Sequence, residues 1–142
     1  MIRVREFIED DYVEARALWE QTEGVGLSSA DEPWAVSSFL RRNPGLSFVA
    51  TTESRIVGTM LCGHDGRRGF IHHLVVRSGH RRQGIGRLLL RAGISALARE
   101  RIGKFHLLVF RDNERGIAFW RRVEATERIE LMLFSIEVRH DT

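Results

Sequence analysis

The stretch Arg81-Arg82-Gln83-Gly84-Ile85-Gly86-Arg87 organises this 142-residue chain. An apolar, β-branched segment, residues 71–76, precedes it, and a helical pattern that opens with Leu88-Leu89-Leu90 follows it to about Arg101. A glycine-containing basic turn between a strand and a helix aims free backbone N–H groups and a helix N-terminus at one point, and such a point attracts phosphate. We therefore predict an anion-binding site at this turn, which the rest of the chain holds in position.

The composition predicts one ordinary soluble domain, residues 1–142, because 43% of the residues are hydrophobic and 29% are charged. No apolar run is long enough to span a membrane, and the N-terminus alternates like a strand and not like a signal peptide. The single cysteine, Cys62, excludes an internal disulfide framework and fits a reducing cytoplasm. A net charge of only +3, with acids interspersed among the arginines, argues against a nucleic-acid partner.

The order of the elements indicates a mixed, mainly antiparallel sheet with helices on its faces. Asp10-Asp11 can cap a first helix, and Asp31-Glu32-Pro33 is a plausible start for a second. The helix after the glycine turn joins two strands, which should therefore be parallel. Asp112 or Asn113 caps a short helix near the end. The predicted strands are residues 2–7, 47–52, 56–62, 70–76, 105–110 and the alternating tail 129–138.

Taken alone, the pattern Arg81-x-x-Gly84-x-Gly86 is a weak signal, because a surface turn with solvated arginines has the same letters. It lacks the Walker lysine and Ser/Thr, and it is not a Gly-x-Gly-x-x-Gly dinucleotide turn. A triphosphate–magnesium site is therefore disfavoured. A pyrophosphate held by backbone amides and arginine, without a metal, fits better.

The Arg81-x-x-Gly84-x-Gly86 turn resembles motif A of the GNAT acetyltransferase superfamily, and a second stretch of the chain resembles another segment of that family. The turn follows a strand that ends in Leu74-Val75-Val76, and Asn113 with Ala118-Phe119-Trp120 is similar to the Asn-x-x-Ala-x-x-Phe-Tyr segment of that family. The turn over residues 63–69 is similar to that of small stand-alone bacterial members of the YpeA type. The resemblance covers essentially the whole chain, and it implies a mixed sheet of six to seven strands flanked by about four helices.

The resemblance implies acetyl-CoA as co-substrate, a primary amine as acceptor, direct transfer in a ternary complex and no metal. The free edge of Leu74–Val76 would pair with the pantetheine, and an amide in the same stretch would stabilise the developing oxyanion. GNAT proteins often dimerise, so a homodimer is expected as a possible assembly. The residues implied to bind acetyl-CoA are Leu74, Val75, Val76, Arg81, Arg82, Gln83, Gly84, Ile85, Gly86, Arg87, Asn113, Phe119 and Trp120.

The catalytic residues depart from the family pattern. Trp120 stands where many members have a tyrosine acid, and indole cannot serve as one. Leu108 occupies the place of a glutamate base, and Glu124 that of a usual glycine. His72 is the candidate base, since members with a base on the fourth strand use its face and imidazole titrates near neutral pH. A merely structural histidine is an equally open interpretation for His72 and the favoured one for His73, which strand alternation places on the opposite face.

The residues contain two other candidate sites. Cys62 beside His64 and Asp65 is a conceivable nucleophile, but nothing orients such a triad in the sequence, and a buried strand cysteine is favoured. The set formed by His64, Asp65, His72 and His73 matches no standard metal-ligand spacing, so we predict no metal site.

Other features leave alternatives open. Asp31 and Glu32 attract a cationic acceptor in one interpretation and cap a helix in the other. Trp19 and Trp34 are expected in the core. For the whole chain, the alternative to an enzyme is a module that binds acyl-CoA without efficient chemistry, as a sensor or partner protein. A basic nucleic-acid binder is less favoured, and the acceptor has no signature in the sequence.

Overall fold

The computed structural model describes residues 1–138 and contains a five-stranded sheet and four α-helices. The helix count agrees with the expectation, and the strand count falls below the expected six to seven. The elements are β1 (Arg3–Glu6), α1 (Tyr12–Glu20), α2 (Pro33–Arg42), β2 (Phe48–Thr52), β3 (Arg55–His64), β4 (Gly69–Val76), α3 (Ile85–Arg99), β5 (Phe105–Leu107) and α4 (Glu114–Arg122).

The strands lie side by side in chain order, β1-β2-β3-β4-β5. Neighbours from β1 to β4 are antiparallel, whereas β4 and β5 are parallel, as the helical connection between them predicts. The β4–β5 ladder contains only three pairs, from Gly69↔Phe105 to Ile71↔Leu107. The strand predicted over 105–110 is therefore shorter than expected, because apolar residues form a strand only where a partner offers backbone groups.

Adjacent residues of β3 show that the sheet is covered on both faces. The Trp19 indole of α1 donates to Thr59 Oγ1 (2.9 Å) on one face. A Cβ at Gly58 would lie 3.1 Å from side-chain atoms of Ile85 and Leu89 on the other face, where α3 packs. The core prediction is correct for Trp19, which is 1% exposed, and wrong for Trp34, which is 71% exposed because α2 turns it to solvent.

The chain divides into two compact units, residues 1–108 and 109–142. In the second unit, α4 is followed by residues 129–138, for which the alternating pattern predicts one strand or a hairpin. That prediction is wrong, because these residues pair with no strand among the described ones and their apolar side chains, from Leu131 (58%) to Ile136 (90%), are exposed. Within residues 1–138, no helix is both long and apolar enough to cross a membrane.

A buried carboxylate ties β1 to the start of α1. Arg5 donates to both oxygens of Asp11 (2.8 and 2.9 Å), and the Ile8 N–H donates to Asp11 Oδ2 (2.9 Å). Burial by itself would raise the pKa of Asp11, but these hydrogen bonds outweigh it and hold the pKa below its ordinary 3.8. The ionised carboxylate therefore stabilises the fold above pH 4, and this contribution is lost as pH falls through the lowered pKa.

We expect Asp11→Asn to lower the free energy of unfolding by about 1–2 kcal/mol at pH 7, since a charged hydrogen bond of a partly exposed pair is lost. Urea unfolding at pH 7, 4 and 2.5 measures this, and the difference from the parent chain should shrink at the lowest pH. Asp10→Asn is the matched control, because Asp10 is exposed, and it should change little. An equal loss at all three pH values would contradict the assignment.

Candidate functional site

β4 has a free edge along its second half. Its ladder with β5 ends at Ile71, so Leu74–Val76 has no strand partner on that side among the described residues. The Val75 side chain is 5% exposed and belongs to the core, whereas those of Leu74 and Val76 are half-buried. An extended ligand can add to such an edge through main-chain hydrogen bonds. The structure thus contains the free edge that the resemblance implies, and the pairing of this edge with a pantetheine stays a prediction.

The glycine turn leads directly into the N-terminus of α3. Gly84 is the N-cap, with φ +79°, and the first hydrogen bond of the helix runs from the Leu88 N–H to the Gly84 carbonyl (3.0 Å). The amides of Ile85, Gly86 and Arg87 therefore have no carbonyl partner within the helix. A Cβ at Gly84 would meet nothing within 4 Å. The space beside Gly84, at the start of the helix, is therefore open, which suits an anion.

The turn is strongly basic. Residues 77–91 contain five arginines and no acid. Arg82 and Arg87 are exposed, while Arg81 is half-buried and donates from Nε to the Val76 carbonyl (3.2 Å). Two buried nitrogens beside the turn, Arg77 Nε and His80 Nδ1, have no hydrogen-bond partner among the described residues. Positive charge and unused hydrogen-bonding capacity together fit a pyrophosphate.

The individual residues of the turn contribute differently. Gln83 is exposed and Gly86 half-buried, so both can border a ligand. The Ile85 side chain is 1% exposed and anchors α3 to the sheet, so only its backbone is available. Arg82 has φ +64°, a conformation that side-chain-bearing residues rarely adopt. The backbone, more than the side chains, shapes this turn.

The predicted site residues of the second unit form a small cluster of their own. Asn113 caps α4, with its Oδ1 accepting from the Gly116 N–H (3.0 Å). The rings of Phe119 and Trp120 pack edge to face with centroids 5.1 Å apart. Capping commits the Asn113 carbonyl, which leaves its NH₂ group for a ligand. The role of these three residues along a pantetheine stays a prediction.

A β-bulge in β4 changes the direction of the two histidines. The register slips by one residue between Leu61↔His72 and Thr59↔Val75, and His73 takes φ +47°. The prediction that His72 and His73 point to opposite faces is therefore wrong. The His72 ring contacts Phe39 of α2, and the His73 ring contacts Trp19 of α1. Trp19 belongs to a buried core cluster and Phe39 packs against that same cluster.

His72 sits between two aromatic rings at the solvent boundary. Its imidazole stacks on Phe70 (4.9 Å between centroids) and meets Phe39 edge to face (5.9 Å). The side chain is exposed overall, yet these rings remove water from around the imidazole and lower its pKa. His73 lowers the pKa further, and Asp31 opposes the shift. A solvent-accessible, unprotonated imidazole at neutral pH can accept a proton.

His73 belongs to a buried polar network that the sequence does not reveal. Its Nε2 lies 2.7 Å from Asp31 Oδ1, and its backbone carbonyl accepts from Thr59 Oγ1 (2.9 Å). The other oxygen of Asp31 accepts from the Ser28 N–H (3.0 Å). Asp31 is thus engaged within the fold, where it closes the capping box of the turn over residues 29–31. It does not cap α2, whose N-cap, Glu32, forms no side-chain cap hydrogen bond. The tandem histidines were the only sequence signal for this network.

The cysteine is excluded as a nucleophile. Cys62 is 0% exposed, and burial, with a smaller effect of Glu100, raises its pKa to about 12. His64, the proposed partner, instead places its Nε2 2.6 Å from Glu100 Oε1. A protonated thiol in the core agrees with the favoured interpretation from sequence.

Comparison with known proteins adds independent findings. The Acetyltransferase (GNAT) family profile matches residues 4–124. An acetyltransferase of Photorhabdus laumondii is 30% identical over 135 residues, 94% of each chain. Among solved structures, the PaiA N-acetyltransferase of Thermoplasma acidophilum in complex with coenzyme A superposes with a TM-score of 0.73 at 18% identity, covering 87% of this chain and 88% of that one. AAC(6')-Iy in complex with a bisubstrate analogue, CoA-S-monomethyl-acetylneamine, gives 0.77 at 14% identity, covering 97% and 99%.

Proposed function

The chain belongs to the GNAT acetyltransferase family and is an acyltransferase, and from this premise we propose that it moves an acetyl group from acetyl-CoA to a primary amine while both are bound. The observation that carries the proposal is the free edge of Leu74–Val76 next to the open N-terminus of α3. Solved relatives in complex with coenzyme A and with a CoA–amine bisubstrate analogue support it. The proposal concerns one cytoplasmic domain, residues 1–142, that uses no metal and binds neither nucleic acid nor membrane.

The turn and the strand edge divide the task of holding the donor. The unpaired amides of residues 85–87 and the arginines around them would bind the pyrophosphate. The main chain of Leu74–Val76 would pair with the pantetheine amides and so place the thioester beside β4. An N–H of this stretch would then stabilise the carbonyl oxygen as it becomes negative.

His72 is the proposed base. Its lowered pKa keeps the imidazole neutral near pH 7, so it can take a proton from the acceptor ammonium, directly or through one water. The freed amine nitrogen attacks the thioester carbonyl, and the C–S bond breaks as the amide forms, while the second proton of the nitrogen passes to the departing thiolate or to water. A thiolate of pKa about 8.5 leaves readily without a strong acid. Catalysis can thus proceed although Trp120 replaces the usual tyrosine.

A catalytically weak acyl-CoA-binding module is the second candidate. Trp120 cannot protonate a thiolate, and Leu108, which is 63% exposed, offers no carboxylate. Such a module would keep the donor site and lose the transfer.

Calorimetry with acetyl-CoA, paired with detection of CoA release on a panel of amines and peptides, tests the proposal. We expect binding with a dissociation constant in the range of about 1 μM to 1 mM that is typical of enzyme substrates, and CoA release that depends on an amine. Binding without transfer to any amine would favour the module. No binding of acetyl-CoA would contradict both candidates.

A further inference from the structure

A cavity of about 360 Å³ lies where β3 turns into β4. Its walls come from the last turn of α2, the β3–β4 turn and the first residues of β4 and β5, all within residues 1–108. A volume of this size suits a small molecule. The lining residues that matter here are Phe39, Arg42, Asp65, Arg68 and Phe70.

The cavity contains uncommitted positive charge. Arg42 and Arg68 are exposed, and in the part of the chain that the structure describes neither forms an ion pair. The Arg68 guanidinium donates one N–H to the Arg67 carbonyl (3.0 Å), and its other N–H groups remain available to a ligand. The Asp65 carboxylate accepts the N–H groups of Arg67 and Arg68 (2.8 and 2.9 Å) and so is engaged within its own turn. Asp65 keeps its negative charge, so the two guanidinium groups and this one carboxylate leave the lining with a net positive charge, which favours an anion.

The candidate base lies beside this cavity, although His72 itself is not one of the lining residues. Phe39 and Phe70 line the cavity, and the rings of both contact the His72 imidazole. An apolar floor therefore runs from His72 to the cavity. Along β4, His72 lies three residues beyond Gly69, a distance of about 10 Å at 3.3 Å per residue. Arg68 immediately precedes Gly69 and lines the cavity at that end.

We propose that the acceptor is a small primary amine with a carboxylate or phosphate at its far end and a flat apolar body between the two. The proposal rests on the proposed function, because it assumes that the amine gives its proton to His72. The body lies on Phe39 and Phe70, and the anion pairs with Arg42 and Arg68, whose planar guanidinium groups suit oxyanions. A diamine or polyamine would bring like charges together at the far end and is disfavoured.

Three matched benzylamines test the proposal: 4-(aminomethyl)benzoate, 4-methylbenzylamine and 1,4-bis(aminomethyl)benzene. Their affinities for the CoA-saturated chain are measured by calorimetry. We expect the benzoate to bind at least tenfold more tightly than the neutral probe and the dication to bind most weakly. Equal affinity for the three probes, or no detectable binding of the benzoate, would overturn the proposal.

Variants locate the binding. Arg42→Gln and Arg68→Gln should each reduce the preference for the benzoate over 4-methylbenzylamine by threefold or more, and the double variant should abolish it. Arg67→Gln is the matched control, since Arg67 is exposed in the same turn and does not line the cavity. An unchanged preference in the double variant would overturn the proposal, as would an equal loss in the control.

The rate of CoA release with each probe separates the two proposals. If the benzoate binds through Arg42 and Arg68 but is not acetylated, the anion subsite stands and the proposed transfer to such amines fails. If 4-methylbenzylamine is acetylated as efficiently as the benzoate, the transfer stands and the anion subsite fails.

Discussion

Gly84→Glu is expected to raise the dissociation constant for acetyl-CoA by at least about 100-fold, or 2.7 kcal/mol. The Cβ would enter open space, so the side chain needs no repacking of the core. Its carboxylate would lie at the helix N-terminus, where the dipole and the free amides favour it over an incoming phosphate. Two like charges about 4 Å apart near a protein surface repel by about 4 kcal/mol, which is enough for the predicted loss. Calorimetry with acetyl-CoA measures it.

Gly84→Gln is the control for backbone strain. Both substitutions place a side chain at φ +79°, and both pay about 1–2 kcal/mol of stability for it. Only the glutamate adds charge, so the glutamine variant should bind acetyl-CoA within about tenfold of the parent chain. The melting temperatures of the two variants should agree within a few degrees, since a carboxylate at a helix N-terminus adds at most about 1 kcal/mol. If they bind acetyl-CoA equally, with the parent affinity, Gly84 is not part of the donor site.

His72→Ala is expected to lower kcat by about 10²- to 10³-fold, the usual contribution of a general base. The dissociation constant for acetyl-CoA should stay within about twofold, because His72 precedes the edge residues that are proposed to hold the donor. His72→Gln should be as slow as the alanine variant, since glutamine restores volume between Phe39 and Phe70 but no base. Added imidazole should partly rescue the alanine variant. Recovery of activity in the glutamine variant would indicate packing and not catalysis.

The pH dependence of kcat/KM provides a second test of His72 as the base. Burial between the two rings lowers its pKa below the ordinary 6.5, so the neutral, active form should predominate above that pH. We expect kcat/KM to rise with pH through the lowered pKa and to level off near neutrality. The acidic limb should disappear in His72→Ala. An identical limb in parent and variant would exclude His72 as the base.

The elements that form the proposed donor site could be predicted from the sequence because they are local. The strand, the glycine turn and α3 are consecutive, and the left-handed φ of Gly84 and the solvent-facing arginines follow from residue type. The parallel pairing of β4 with β5 follows from the helix that joins them. The antiparallel meander from β2 to β4 could also be predicted from the sequence, because short turns separate its strands.

The features that escaped prediction depend on residues far apart in the chain. The bulge at His73 is a mismatch between β3 and β4, and the contact of His73 with Asp31 spans 42 positions, so neither leaves a periodic pattern. The tail over 129–138 alternates like a strand but finds no ladder partner among the described residues. An alternating pattern shows that a segment can form a strand, but the segment forms one only where a neighbouring strand pairs with it.

Because Cys62 is buried, the rate at which its thiol reacts measures how often the fold opens around β3. The chain has one thiol, and in the folded state it is enclosed and protonated, with a pKa of about 12. A thiol-reactive chromophore added to the enzyme therefore reads released CoA with no background from the protein. Without CoA, the same reagent can label the chain only when β3 becomes accessible. The labelling rate then measures how often the central sheet opens, and each molecule is labelled once because it has one thiol.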